Sequence, residues 1–156
     1  MELDKKKVLV VGLGISGLSV LRWLYRMGAG VMVSEMRDAG ELGDDLISDL
    51  SEKGISLETG GHRIETFLGV DMIIVSPGVP LDIKPIQAAR DKGIPVIGEL
   101  ELASRVVRAP IVAVTGTNGK STVTALIGAM IKEAGHDVFV GGNIGTPMMD
   151  YIASEK

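Results

Sequence analysis

The chain has 156 residues, with 20 acidic against 16 basic side chains, a net charge of −4 and no cysteine. That balance leaves no electrostatic footprint for nucleic acid or an anionic membrane, and the missing cysteines exclude disulfides, zinc-thiolate sites and thiol nucleophiles together. Hydrophobic residues at 46% suffice for a core, whereas aromatics at 3% are too few for base stacking as a means of ligand capture. His62 and His136, the only two histidines, sit in turn-like contexts and read as solvated. A protein-built transition-metal site is not expected, and any metal would be magnesium carried on phosphates.

Lys5, Lys6 and Lys7 before an apolar run superficially resemble a secretory signal. Glycines interrupt that run, Arg22 closes it, and it is too short to span a bilayer, so it reads as strand plus helix in a cytoplasmic protein. Residues 7–12 (KVLVVG) form a continuous apolar strand of the kind buried on both faces. A helix follows over 16–27, with Leu18, Leu21, Leu24 and Tyr25 at helical spacing, and packing is the default role of Trp23, Tyr25 and Met27. Further strands are expected at 31–35, 55–60, 71–78 and 94–98, and further helices at 41–53 and 84–92. This alternation implies an α/β domain with a parallel sheet over 1–98. A helical connector covers 99–110. The pattern then restarts over 111–156 with a strand at 111–115, a helix at 121–134, a strand at 137–140 and the start of another helix at Met148, Met149 and Tyr151. One βαβ unit cannot bury its own sheet, so 111–156 reads as the opening of an incomplete second domain. The apolar face of its last helix is expected to be exposed or covered in a dimer.

Two glycine loops carry the chemistry. Gly12, Gly14 and Gly17 follow the first strand and open the first helix, where backbone amides and the helix dipole favour a phosphate. Glu35 ends the second strand, the place from which a dinucleotide site reaches a ribose hydroxyl. The alternative is that the glycines serve only close helix–strand packing. The second loop, TGTNGKST, has Val114 where the usual P-loop spacing wants its first glycine. Its active end is intact. Amides from Gly116 to Lys120 can form a nest for oxygens, Lys120 can reach β- and γ-phosphates, and Ser121 or Thr122 can ligate Mg²⁺.

TGTNGKST resembles the ATP-binding loop of the Mur ligases, in which Val114 is no departure. GLGISGLSV, SPGVP, GTNGKSTVTAL and GGNIGTP, in this order along essentially the whole chain, are most similar to the branch that adds D-glutamate. The resemblance implies a Rossmann-like domain for a uridine nucleotide, followed by the start of a P-loop ATPase domain. It implies an ATP-dependent ligase in peptidoglycan precursor synthesis. ATP and Mg²⁺ would activate the carboxylate of UDP-N-acetylmuramoyl-L-alanine as an acyl phosphate, and D-glutamate would attack it. Gly116, Thr117, Asn118, Gly119, Lys120, Ser121 and Thr122 would cradle ATP, with Lys120 on the phosphates as the catalytic residue and Ser121 on magnesium. Ile15 and Ser16 would meet the uridine end, and Glu35 and Arg37 would hold the uracil or ribose. Glu35 and Met36 stand where family members often carry Asp and Thr. Ser76, Gly78 and Asn143 would line the diphosphate path, against the plainer reading that they only end a strand and make a turn. The D-glutamate domain, a further magnesium-binding acid and the general base are expected outside 1–156, so these residues alone are expected to be inactive.

Two other classes compete. An NAD-binding module would explain the first loop but has no use for the second. A P-loop switch protein would need a strand ending in Asp to hold Mg²⁺ through water, and the strand DMIIVSPG precedes the loop and ends in serine.

Overall fold

The structure is a computed structural model and describes residues 3, 5–142 and 145–154. Its centre is a five-stranded, wholly parallel sheet in the order β3-β2-β1-β4-β5. The strands are β1 (Lys7–Val11), β2 (Gly30–Ser34), β3 (Ser56–Glu58), β4 (Met72–Val75) and β5 (Val96–Gly98). The helices interleaved with them are α1 (Ile15–Arg26), α2 (Ala39–Leu42), α3 (Asp44–Glu52), α4 (Ile64–Leu68) and α5 (Lys84–Asp91). After the sheet come α6 (Glu99–Val106), α7 (Lys120–Glu133) and α8 (Met148–Ser154).

The continuous apolar strands explain the layering. Val8 and Val10 of β1 point into one core with Leu21, Leu24, Leu50, Leu102 and Met149. Leu9 and Val11 point into the opposite core with Phe67, Ile86 and Ala89. Alternate residues of one strand therefore serve both faces, as a doubly wound α/β sheet requires. The chain runs outward from β1 to β3, then returns to place β4 on the other side of β1. The carboxyl ends of β1 and β4 thus flank a topological switch point, where such sheets open a crevice.

Four expectations are corrected. The single helix over 41–53 is two helices, because Gly43 takes φ +81° between them and Asp38 and Glu41 cap the first reciprocally. The strands at 111–115 and 137–140 are absent: neither segment joins a sheet edge, and a strand without a ladder partner is not stable. Around α7 the packing is instead local, with Val140 against Gly128, where an added Cβ would lie 2.4 Å from Val140 Cγ2. Tyr25 and Met27 are exposed, and Trp23 alone of that trio packs in the core. Finally, the apolar side of α8 is covered by the chain itself. Met149 is fully buried among α1 and α6 residues, Ser19 Oγ meets Asp150 Oδ1 at 2.5 Å, and Arg26 Nη1 donates to the Ala153 carbonyl at 3.0 Å.

Candidate nucleotide site

The first glycine loop is built by three different demands. Gly12 leaves β1 with φ +87°. Its amide donates to Ser34 O at 2.9 Å, and its carbonyl accepts from Ser76 Oγ at 2.8 Å. Gly17 is required by packing, since a Cβ there would lie 1.9 Å from Gly12 O and 2.7 Å from Ser76 Oγ. Gly14 faces open space, with no atom within 4 Å of an added Cβ. The packing reading therefore holds for Gly17, while Gly14 leaves room for something to approach the backbone. Gly14 also caps α1 without a side-chain bond, and no acidic residue occupies the first turn of that helix. The free amides and positive end of α1 thus open onto the crevice.

Glu35 lies just beyond β2 and is only 5% exposed. Its Oε2 accepts from the Leu13 amide at 2.6 Å and from Arg37 Nη2 at 3.2 Å. Its Oε1 accepts from the Arg37 amide at 3.0 Å and Arg37 Nε at 3.2 Å. Burial alone would raise this carboxyl, but the Arg37 side chain, the two amides and the guanidinium charge outweigh it and hold the pKa at about 2. Arg37 Nη2 also donates to Leu13 O at 3.2 Å, and the guanidinium remains about half exposed. Glu35 therefore ties the glycine loop to the end of β2 and aims Arg37.

These parts line one cavity of about 420 Å³ at the switch point. Gly12 to Ser16, Glu35, Arg37 and Ser76 to Val79 supply most of it, and Gly142, Gly145 and Pro147 from the GGNIGTP stretch supply the rest. Ile15, Ser16, Glu35, Arg37, Ser76 and Gly78 are thus brought together. Ile15 stands 72% exposed at the first position of α1, and Ser76 is buried beneath the loop. Asn143 lies outside the described residues. A smaller cleft of about 230 Å³, lined by Leu21, Arg22, Tyr25, Arg26 and Lys53, sits away from both glycine loops.

Sequence reasoning missed a polar network next to Glu35. Ser34 Oγ donates to Glu58 Oε1 at 2.8 Å and lies 2.7 Å from His62 Nδ1. With the serine hydrogen on Glu58, Nδ1 of His62 is the donor. Thr66 Oγ1 and the Arg63 amide also donate to Glu58, and Arg63 Nε pairs with its Oε2 at 3.2 Å. His62 is accordingly half-buried and bonded, not simply solvated, and burial lowers its pKa. Leu13, whose amide anchors Glu35, also carried no signal by residue type.

The second loop does not line this cavity. Gly116 and Gly119 take φ +150° and +76°, and Gly119 caps the 14-residue α7, whose first turn holds no acidic side chain. Lys120 Nζ curls onto the loop carbonyls of Gly116 at 2.5 Å and Thr117 at 3.3 Å. Ser121 and Thr122 are exposed. An open glycine turn, a helix N-terminus and an ammonium held over both match the donors that a polyphosphate with Mg²⁺ needs. Among the described residues no cluster of three or more His, Asp or Glu could hold a metal unaided, and no helix is long and apolar enough to cross a membrane.

Residues 6–98 match the Mur ligase MurD-like N-terminal domain family. The chain belongs to that family. It is 52% identical over 151 residues to the UDP-N-acetylmuramoylalanine–D-glutamate ligase of Desulfosudis oleivorans, covering 97% of this chain and 33% of that protein. The ligase of the same name from Acidobacterium capsulatum is 52% identical over all 156 residues, which cover 34% of it. The chain thus spans about a third of the length of the curated relatives it matches. Among solved structures, UDP-N-acetylmuramate-alanine ligase MurC from Thermotoga maritima aligns with a TM-score of 0.55 at 26% identity, covering 88% of this chain and 32% of that one. A pseudomurein peptide ligase type C from Methanothermus fervidus aligns with a TM-score of 0.54 at 27% identity, covering 84% and 27%. The dinucleotide-module and switch-protein readings give way to this family.

Proposed function

We propose that the chain carries the uridine-nucleotide site, and the ATP loop, of a ligase that joins D-glutamate to UDP-N-acetylmuramoyl-L-alanine in the cytoplasm. One observation carries the reading: the first glycine loop, Glu35 with Arg37, the SPGV turn and the GGNIGTP stretch, far apart in sequence, converge on a single cavity. The relatives that match 97–99% of this chain are named for this reaction. The uridine end would lie by Ile15, Ser16 and Arg37, with Glu35 acting through Arg37. The diphosphate would face the open amides of α1, passing Ser76, Gly78 and Asn143.

At the second loop, Gly116 to Thr122 would hold ATP, with Lys120 on the transferring phosphate and Ser121 on magnesium. Bound Mg²⁺ would neutralise charge on the phosphates. The L-alanyl carboxylate oxygen would attack the γ-phosphorus and release ADP. The D-glutamate amine would then attack the acyl carbon, expelling phosphate and losing a proton. Residues 111–156 would form part of the ATP-binding unit, and 99–110 the connector. Any self-association of the chain would use Leu126 and Met130 on α7, which are exposed, and not the buried Met149.

Calorimetric titration with UDP-N-acetylmuramoyl-L-alanine, against NADH as control, tests the reading. Saturable binding of the sugar nucleotide and silence with NADH are expected. NADH binding would overturn it.

A further inference from the structure

Among the described residues, Glu99 is the one buried charged group whose role the proposed function does not use. It opens α6 at the carboxyl end of β5 and is 2% exposed, and its helix neighbours Leu102 and Ala103 and its partner Met149 all belong to the hydrophobic core. Its Oε1 accepts from the Met149 amide at 2.9 Å, fifty positions along the chain, while Oε2 has no partner among the described residues. A carboxyl costs free energy in such surroundings, and a leucine would fill the space better if packing were the only demand. Burial pushes its pKa up, the Met149 and Met148 amides pull it back, and Asp150 raises it further. What this costly group gains is a grip on the start of α8, the helix that directly follows the cavity residues Gly142, Gly145 and Pro147. Gly142 itself rests on α6, with Leu100 Cδ2 3.6 Å from an added Cβ.

We propose that Glu99 is a positioning residue that clamps the start of α8 and thereby fixes Gly142, Gly145 and Pro147 as the cavity wall opposite the first glycine loop. The clamp is one end of the α8 attachment. The Ser19–Asp150 and Arg26–Ala153 contacts hold the other side of the helix to α1, whose N-terminus forms the cavity floor. The same attachment fixes where the chain arriving from α7 enters the site. The consequence for nucleotide binding rests on the proposed function, but the clamp does not.

Amide hydrogen exchange on the ligand-free chain and titration with UDP-N-acetylmuramoyl-L-alanine test it together, using E99A, E99Q and S19A. In E99A the amides of Gly142, Gly145 and Met149 should exchange about tenfold faster, and affinity should fall about tenfold, with Val10 and Ile74 in the sheet unchanged. E99Q keeps an acceptor oxygen for Met149 and should restore both readouts. S19A loosens α8 from its far side and should speed the same amides, which keeps the test open if E99A fails to fold. Wild-type exchange at Met149 and Gly142 in both E99A and S19A would overturn the proposal, and so would E99Q behaving like E99A. If the wild-type chain ignores the sugar nucleotide, the function reading fails, and the clamp is judged on exchange alone.

Discussion

Glu35 Oε2 and the amide nitrogen of Leu13 lie 2.6 Å apart, joining the end of the second strand to the middle of the first glycine loop. With Arg37 on both of its oxygens as well, Glu35 has its acceptor sites filled before a ligand arrives. A dinucleotide site needs that carboxylate free for ribose hydroxyls. Here it presents a guanidinium instead.

This relationship makes a pH prediction. The carboxyl's pKa falls from 4.5 to about 2 on folding. Its contribution is therefore complete above the unfolded value and is lost as pH falls toward the folded one. Glu35→Gln should destabilise the chain by on the order of 2 kcal/mol near neutral pH, and the gap from wild type should close as pH drops through that window. Thermal melts of both proteins across the acid range measure it. A gap independent of pH contradicts the assignment.

Two glycines in one loop should respond oppositely. Gly17→Ala drives a Cβ into Gly12 O and Ser76 Oγ, backbone and buried side chain that cannot easily move. A loss of about 3 kcal/mol or failure to fold is expected. Gly14→Ala meets nothing in the protein and should melt close to wild type, yet it places a methyl where a ligand would approach. Melting temperature and nucleotide titration separate the two, and equal destabilisation would show that Gly14 also serves packing.

Lys120 is exposed, and among the described residues it bonds only to loop carbonyls. Lys120→Ala should leave thermal stability within about 0.5 kcal/mol of wild type, since no core contact is lost. Affinity for Mg-ATP should fall by roughly tenfold to a hundredfold, the worth of one charged hydrogen bond to phosphate. Retained affinity would remove Lys120 from the phosphate site.

The central strands β1, β2 and β4 were legible because each is an apolar run bounded by glycine, proline or charge, as a strand buried on both faces requires. The edge strands β3 and β5 were legible mainly by the turn residues that flank them. The cavity's two main glycine features were legible for the same local reason. Less could be read where the answer lies in tertiary partners. The break at Gly43 depends on a positive φ that a helical hydrophobic stripe hides. Residues 111–115 and 137–140 have strand composition but no ladder to join. Met149 reads as an unpartnered apolar face until Glu99 and Ser19 are seen to receive its helix. His62 resembles a surface turn residue because Ser34, which bonds it, is distant in sequence.

On the proposed function, the crevice lined by the first glycine loop and by Gly142, Gly145 and Pro147 takes a uridine nucleotide. Amide chemical-shift mapping during titration with UDP-N-acetylmuramoyl-L-alanine tests it most directly. Saturable shifts are expected at Leu13, Gly14, Ile15, Ser16, Arg37, Gly78 and Gly142, with the amides of α5 on the far face of the sheet unmoved. Shifts confined to Gly116 to Thr122, or none in the crevice at saturating ligand, would contradict it.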